Sequence, residues 1–141
     1  MTRIDAAQHR VQQATDLPAV LDTAYEAFEA MLSVLQPAQD PASGLFAAFV
    51  MAAASAANGR NALALAPSLP RHPLLTVQAQ EQPCPGERPE RVAEAVAGLS
   101  HLVAERLAQA AASAPDPGDQ DACRHAAHSA RDICGLLTSR P

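Results

Sequence analysis

The sequence predicts an all-α protein, built as an antiparallel four-helix bundle in a single domain over residues 1–141. Two observations predict this fold class. Alanine dominates the apolar residues, which are 48% of the chain, whereas aromatic residues are only 3%. Alanine is the best helix former, and strands favour aromatic and β-branched residues. Apolar residues also recur at steps of three and four, which is the spacing of a buried helix stripe.

Proline marks the connections between the predicted helices. Because proline lacks an amide hydrogen and clashes inside a helix, clusters of proline divide the chain. The clusters lie at Pro37 and Pro41, over residues 67–89, and at Pro115 and Pro117. A connection as long as 67–89 is unusual within a compact domain. We expect it to be a long crossover over the surface of the bundle, between helices two and three.

The first strong helix is predicted from about Leu17 to Gln36. Thr15 or Asp16 offers an N-cap, and Pro18 falls in the first turn, where a missing amide hydrogen costs nothing. The predicted core-facing stripe holds Leu17, Val20, Leu21, Ala24, Tyr25, Phe28, Met31, Leu32 and Leu35. Residues 2–14 can add a short polar helix ahead of it.

The second helix is predicted from roughly residue 42 to residue 66 and is apolar nearly all round. Such a helix is expected to be covered on more than one side. Either it is the central helix of the bundle or it is shared with a second copy of the chain. Asn58 and Gly59 end it as a left-handed cap, or the glycine lies inside one long helix at a cost of about 1 kcal/mol relative to alanine.

Two further amphipathic helices are predicted, near residues 89–112 and 119–138. The apolar face of the third helix holds Val92, Val96, Leu99, Val103 and Ala110. That of the fourth helix holds Cys123, Ala126, Ala127, Ala130, Ile133, Cys134 and Leu137. The two shorter connections favour antiparallel neighbours within each pair of helices, while the long crossover leaves the arrangement of the pairs open.

The first candidate site is a stripe of two aspartates and two histidines on the fourth helix, spaced by three and four residues so that the side chains align. This His/Asp stripe consists of Asp121, His125, His128 and Asp132. It lies opposite the apolar face of the helix and should therefore face water. Metal centres in bundles use inward-projecting carboxylates and Glu-x-x-His pairs, and this chain has no Glu-x-x-His. We interpret the stripe as solvated, with a pH-sensitive or dimer-interface patch and a metal site as alternatives.

The second candidate site is a set of large apolar side chains in the first two main helices. They are Tyr25, Phe28, Phe46, Phe49 and Met51. Side chains of this kind line apolar ligand pockets between the helices of bundles. Ordinary core packing explains the same spacing, and it is the interpretation that we prefer.

Net charge, the N-terminal residues, the length of the apolar runs and the cysteine spacing argue against several classes of function. A net charge of -5 without a basic cluster argues against a nucleic-acid partner, because phosphates are bound by a basic face. The first ten residues lack the apolar core of a secretory signal, and the apolar run over residues 45–54 is too short to cross a bilayer. Cys84, Cys123 and Cys134 have no metal-knuckle spacing, and we expect reduced thiols, with the last two on the buried side of their helix. We therefore expect a cytoplasmic protein without a cofactor.

The fold and the apolar second helix lead to our expectation of function. Monomers rarely expose large apolar patches, and association is the physical remedy for them. We expect a non-enzymatic bundle protein with a regulatory or scaffolding role. It acts either as a homodimer whose interface includes the apolar second helix or by binding another protein. A small-molecule-binding bundle with an apolar pocket between the first two main helices is the alternative, followed by a His/Asp metal-binding protein. We expect no catalytic residue, since the sequence supplies no nucleophile or acid that can be assigned to any of the histidines.

Overall fold

A computed structural model describes residues 3–70 and 88–138, which form five α-helices and no strand. The helices are α1 (Arg3–Gln13), α2 (Leu17–Leu35), α3 (Phe46–Ala64), α4 (Pro89–Ser113) and α5 (Pro117–Thr138). The predicted all-α class is confirmed for this part of the chain. The predicted crossover over 67–89 lies outside the described residues, except for 67–70 and 88–89 at its two ends.

The four longer helices share one core, as in a helical bundle. α2 packs against α3 and α4, and α5 packs against the same two helices, so each of the four has two neighbours within the set. α1 lies against α2 and α4. The largest fully buried side chains come from all five helices: Val11, Leu21, Phe28, Met31, Leu35, Phe49, Leu63, Val96, Leu99, Val103, Leu107 and Ile133. α1 is therefore part of the core and not an appended segment.

The beginning of α2 follows the sequence prediction. The amide of Ala19 donates to the carboxylate of Asp16 at 2.8 Å, so Asp16 is the N-cap, and Pro18 lies in the first turn. Satisfying an amide that has no partner inside the helix in this way contributes about 1 kcal/mol. α1 is fixed to its neighbours by an ion pair between Arg10 and Glu26 of α2.

α3 begins at Phe46, four residues later than the sequence suggests. Two side chains before it hold the backbone in turns: the carboxylate of Asp40 accepts from the amide of Ala42 at 3.0 Å, and the hydroxyl of Ser43 accepts from the amide of Leu45 at 3.1 Å. Such local bonds offer the backbone an alternative to the helix. The helix starts where they end.

Gly59 lies within α3 and does not end it, which decides between the two predictions made for this residue. The glycine faces α2, where the ring of Phe28 comes so close that a β-carbon at position 59 would lie 2.5 Å from a ring carbon. No real side-chain contact is that short. Glycine is therefore required here by the close approach of the two helices.

The segment after α3 is tied to the first turn of α5. Asp119 is almost completely buried, and its carboxylate accepts from the Ser68 amide at 2.9 Å and from the Ser68 hydroxyl at 2.6 Å. Position 119 also lies at the positive end of the α5 dipole, which favours a carboxylate. These contacts join two helices that neighbour each other in the bundle.

Candidate interaction surfaces

α3 turns a row of uncharged side chains to solvent, which we call the outward face of α3. It consists of Ala47, Val50, Met51, Ala54, Asn58 and Asn61, with Leu65 directly after the helix end. Val50 is 39% exposed, Met51 is 56% exposed and Leu65 is 82% exposed. Among the described residues, these three are the large hydrophobic side chains with high exposure. An apolar row on an outer helix surface is the kind of feature that marks interaction sites.

Polarity alone does not divide the side chains of α3 between core and solvent, because alanines and larger apolar residues occur on both sides. Its buried residues are Phe49, Ala52, Ala53, Ala56, Gly59 and Leu63. Arg60 is the one ionisable residue between Phe46 and Ala64, and its guanidinium lies 3.5 Å from the carboxylate of Glu29 on α2. The charge of Arg60 is thus turned toward α2, and the outward face of α3 stays uncharged.

The five residues of the predicted apolar pocket have different environments. Phe28 and Phe49 are fully buried, Tyr25 and Phe46 are half-buried, and Met51 belongs to the outward face of α3. The Phe28 ring lies against the backbone of Gly59 and fills the space between α2 and α3 at that level. A ligand pocket lined by these residues stays a prediction.

The His/Asp stripe lies on the solvent side of α5, where all four side chains are exposed. Each aspartate pairs along the helix: His128 Nε2 lies 3.5 Å from Asp132 Oδ2, and an Arg124 guanidinium nitrogen lies 3.6 Å from Asp121 Oδ1. Within residues 3–70 and 88–138, no three His, Cys, Asp or Glu side chains come together in a way that can hold a metal ion. Metal binding by the stripe stays a prediction.

Cys123 and Cys134 have different surroundings, although the sequence predicts both on the buried side of α5. Cys123 is buried and Cys134 is only half-buried, since it lies at the edge of the apolar face. Burial raises the pKa of the Cys123 thiol to about 11, and the nearby Asp119 carboxylate adds to the rise. Cys123 is therefore protonated near neutral pH and poorly suited to act as a nucleophile.

A shallow groove between α4 and α5 was not foreseen from the sequence, and we call it the α4–α5 groove. It has a volume of about 300 Å³ and is lined by Ala108, Ala111, Ala112, Arg124, Ala127 and Arg131. The sequence feature that could have indicated this groove is the spacing of Arg124, Ala127 and Arg131, which places all three on one side of α5. The alanines of α4 that complete the groove are distant in sequence.

The described helices include none long and apolar enough to span a membrane. Comparison of the chain with family models, with curated proteins and with solved structures finds no match. Function is therefore inferred from the exposed surfaces of the bundle.

Proposed function

We propose that the protein is a non-enzymatic helical bundle that acts by forming a homodimer through the outward face of α3, in a regulatory or scaffolding role. The observation that carries the proposal is the exposure of Val50, Met51 and Leu65 on a surface of α3 that has no charged side chain. Burial of apolar surface is the dominant favourable term in most protein association.

The pattern of the outward face of α3 suits a second copy of the same face. The row of positions 47, 51, 54, 58, 61 and 65 advances by alternating steps of four and three, which is the spacing of the seam between two packed helices. A two-fold interface brings the same patch together from both chains, and an uncharged patch meets its copy without like-charge repulsion. Asn58 and Asn61 carry both donors and acceptors, so each amide can bond to the corresponding amide of the copy.

The size of the face indicates that its neighbours also take part. A helix of 19 residues is about 28 Å long and about 10 Å wide, so one face offers about 300 Å². A stable interface buries about 800 Å² on each partner. We infer that exposed residues of α2 and α5, the helices that flank α3, complete the interface.

Two finer expectations belong to the same proposal. Only residues 114–116 connect α4 to α5, and a connection this short between packed helices favours the antiparallel bundle order. Cys123 and Cys134 are free thiols, which suits the reducing cytoplasm. A protein partner that uses the same face of α3 is the alternative occupant, whereas a pocket between α2 and α3 has less support because Phe28 and Phe49 are already packed.

The test is the mass in solution of the full chain and of a variant with a charge on the outward face of α3. Light scattering at micromolar concentration should give twice the chain mass of 14.7 kDa. Met51→Glu should give the monomer, since the two-fold axis places two new carboxylates in one apolar interface. Gln109→Glu introduces the same residue at an exposed position of α4 and should remain a dimer.

Circular dichroism of both variants must show unchanged helix content, so that loss of the dimer is not loss of the fold. A full chain that is monomeric across the micromolar range contradicts self-association. A dimer that persists in Met51→Glu means that the interface lies on another surface.

A further inference from the structure

We infer that the α4–α5 groove is a binding site for a small carboxylate with an apolar tail, a ligand of the size of a medium-chain fatty acid. This site lies on α4 and α5 and includes no residue of the outward face of α3. The inference combines three observations: an apolar floor, a cation at each end of that floor, and, within the described residues, no ion pair between one of these cations and a carboxylate.

The floor of the groove consists of methyl groups. Ala108, Ala111 and Ala112 contribute them from α4, and Ala127 contributes one from α5. Because alanine has no side chain beyond its β-carbon, the two helices leave a volume of about 300 Å³ above the floor. Ligand pockets begin at about this size, which fits a ligand of few atoms and leaves no room for a partner helix about 10 Å across.

The two arginines define the charge of the ligand. Arg124 and Arg131 are seven residues apart, which places them about 10 Å apart along α5 at opposite ends of the groove. Arg124 already has a carboxylate nearby, that of Asp121 at 3.6 Å. Among the residues that the structure describes, no carboxylate forms an ion pair with Arg131.

Two arginines thus line one groove in a chain whose net charge is -5, and the groove favours an anion. A guanidinium offers paired donors that match the two oxygens of a carboxylate. Arg131 therefore takes the carboxylate of the ligand, and the apolar tail lies on the alanines toward Arg124. Phosphate and sulfate monoesters of an apolar chain are also anions, but they differ from a carboxylate in having a third terminal oxygen that can accept a hydrogen bond.

The test is titration of the full-length protein with sodium octanoate, followed by amide chemical shifts in two-dimensional NMR. We expect saturable shifts at residues 108–112 and 124–131, and no saturation with octan-1-ol, which has the same tail without the charge. Arg131→Gln should weaken octanoate binding about tenfold, which is the factor that corresponds to about 1.4 kcal/mol. Arg91→Gln removes an exposed arginine elsewhere on α4 and should leave the affinity unchanged.

A second pair of variants tests the floor of the groove. Ala108→Leu fills the groove and should abolish the saturable shifts, while Ala95→Leu places the same side chain on the exposed surface of α4 and should not.

Equal affinity in Arg131→Gln and the wild type overturns the inference. So do octanoate-dependent shifts that lie outside the two segments, and equal binding of octan-1-ol. Octyl phosphate binding more tightly than octanoate would replace the carboxylate by a phosphate as the bound group and overturn the assignment of ligand class.

Discussion

α3 and α5 lie side by side in the bundle but present opposite chemistry to solvent. The segment Phe46–Ala64 contains one ionisable residue, Arg60, and its side chain pairs with Glu29 of α2. The exposed residues of α5 are mostly ionisable: Asp121, Arg124, His125, His128, Arg131 and Asp132. Both helices bury a mainly apolar row, so the largest difference between them lies on their outer sides.

The two helices differ in what decides which of their sides faces the core: the polarity of the side chains on α5 and their shape on α3. On α5, charged side chains must stay hydrated, so the polar pattern by itself decides which side faces the core. On α3, nearly every side chain tolerates burial, and the orientation is decided by shape. Gly59 fits against the Phe28 ring on the buried side of α3, and Val50 and Met51 are exposed. We expect this contact to hold the helix in that orientation.

The largest expected effect comes from the same substitution made on the two helices. Gly59→Ala should reduce the free energy of unfolding by about 3 kcal/mol, because the new β-carbon overlaps the buried Phe28 ring and one of the helices must shift. Gly135→Ala on α5 should increase it by up to about 1 kcal/mol, since nothing lies within 4 Å of that β-carbon and alanine favours the helix. Urea unfolding of both variants measures the two changes.

A Gly59→Ala variant as stable as Gly135→Ala would break the comparison, because it would mean that the contact with Phe28 does not orient α3. The double variant Gly59→Ala with Phe28→Leu tests the same contact more directly, again by urea unfolding. The smaller side chain should make room for the new methyl group, so the double variant should lose less stability than the sum of the two single variants.

Much of the fold follows from sequence patterns whose physical causes are local. Asp16, one of the two predicted N-caps, and the buried faces of α4 and α5, except Cys134, follow from the sequence because capping and amphipathic spacing involve residues within one helix. The start of α3 was predicted four residues early, since the turn bonds of Asp40 and Ser43 compete with an apolar run that resembles helix. α1 is short and polar, but its buried residues Ile4, Ala7 and Val11 recur at steps of three and four, so its spacing indicates the buried side. The helices that cover this side, α2 and α4, do not follow from the sequence of α1.

The candidate surfaces were predictable to different degrees. The apolar character of α3 is evident in its sequence, but the identity of its exposed side follows from the fit between Gly59 and Phe28, which are distant in the chain. The α4–α5 groove was missed because its floor combines alanines of two helices. Similarly, the Ser68–Asp119 bonds join residues 51 positions apart, and neither residue carries a signal for the other.

The inner side of α5 offers a second test, through the buried thiol of Cys123. Its pKa is raised from 9.0 to about 11 in the folded chain, so the folded state retains the proton more strongly than the unfolded state. The stabilisation is complete below pH 9 and is lost as the pH rises toward 11. We expect the free energy of unfolding to fall by about 2 kcal/mol between pH 8 and pH 11, measured by urea unfolding at each pH.

Two cysteine variants isolate this contribution, and the chain has no lysine to obscure it in the same pH range. Cys123→Ala should remove most of the fall in stability above pH 9. Cys134→Ala changes a half-buried thiol on the same helix and should preserve the fall. The same alkaline loss in Cys123→Ala and in the wild type would show that the thiol is not the group responsible.

The smallest effect is expected on the outer side of α5, where the histidines of the His/Asp stripe lie. A double variant, His125→Ala with His128→Ala, should change the free energy of unfolding by less than about 0.5 kcal/mol, since both side chains are exposed and the His128–Asp132 pair is a surface ion pair. Elemental analysis of the wild type and the double variant should give the same metal content. Zinc or iron bound in a one-to-one ratio and lost in the double variant would give the polar side of α5 a defined binding role. The two outer sides would then differ in the kind of partner that they bind, a metal ion on α5 and the proposed second chain on α3.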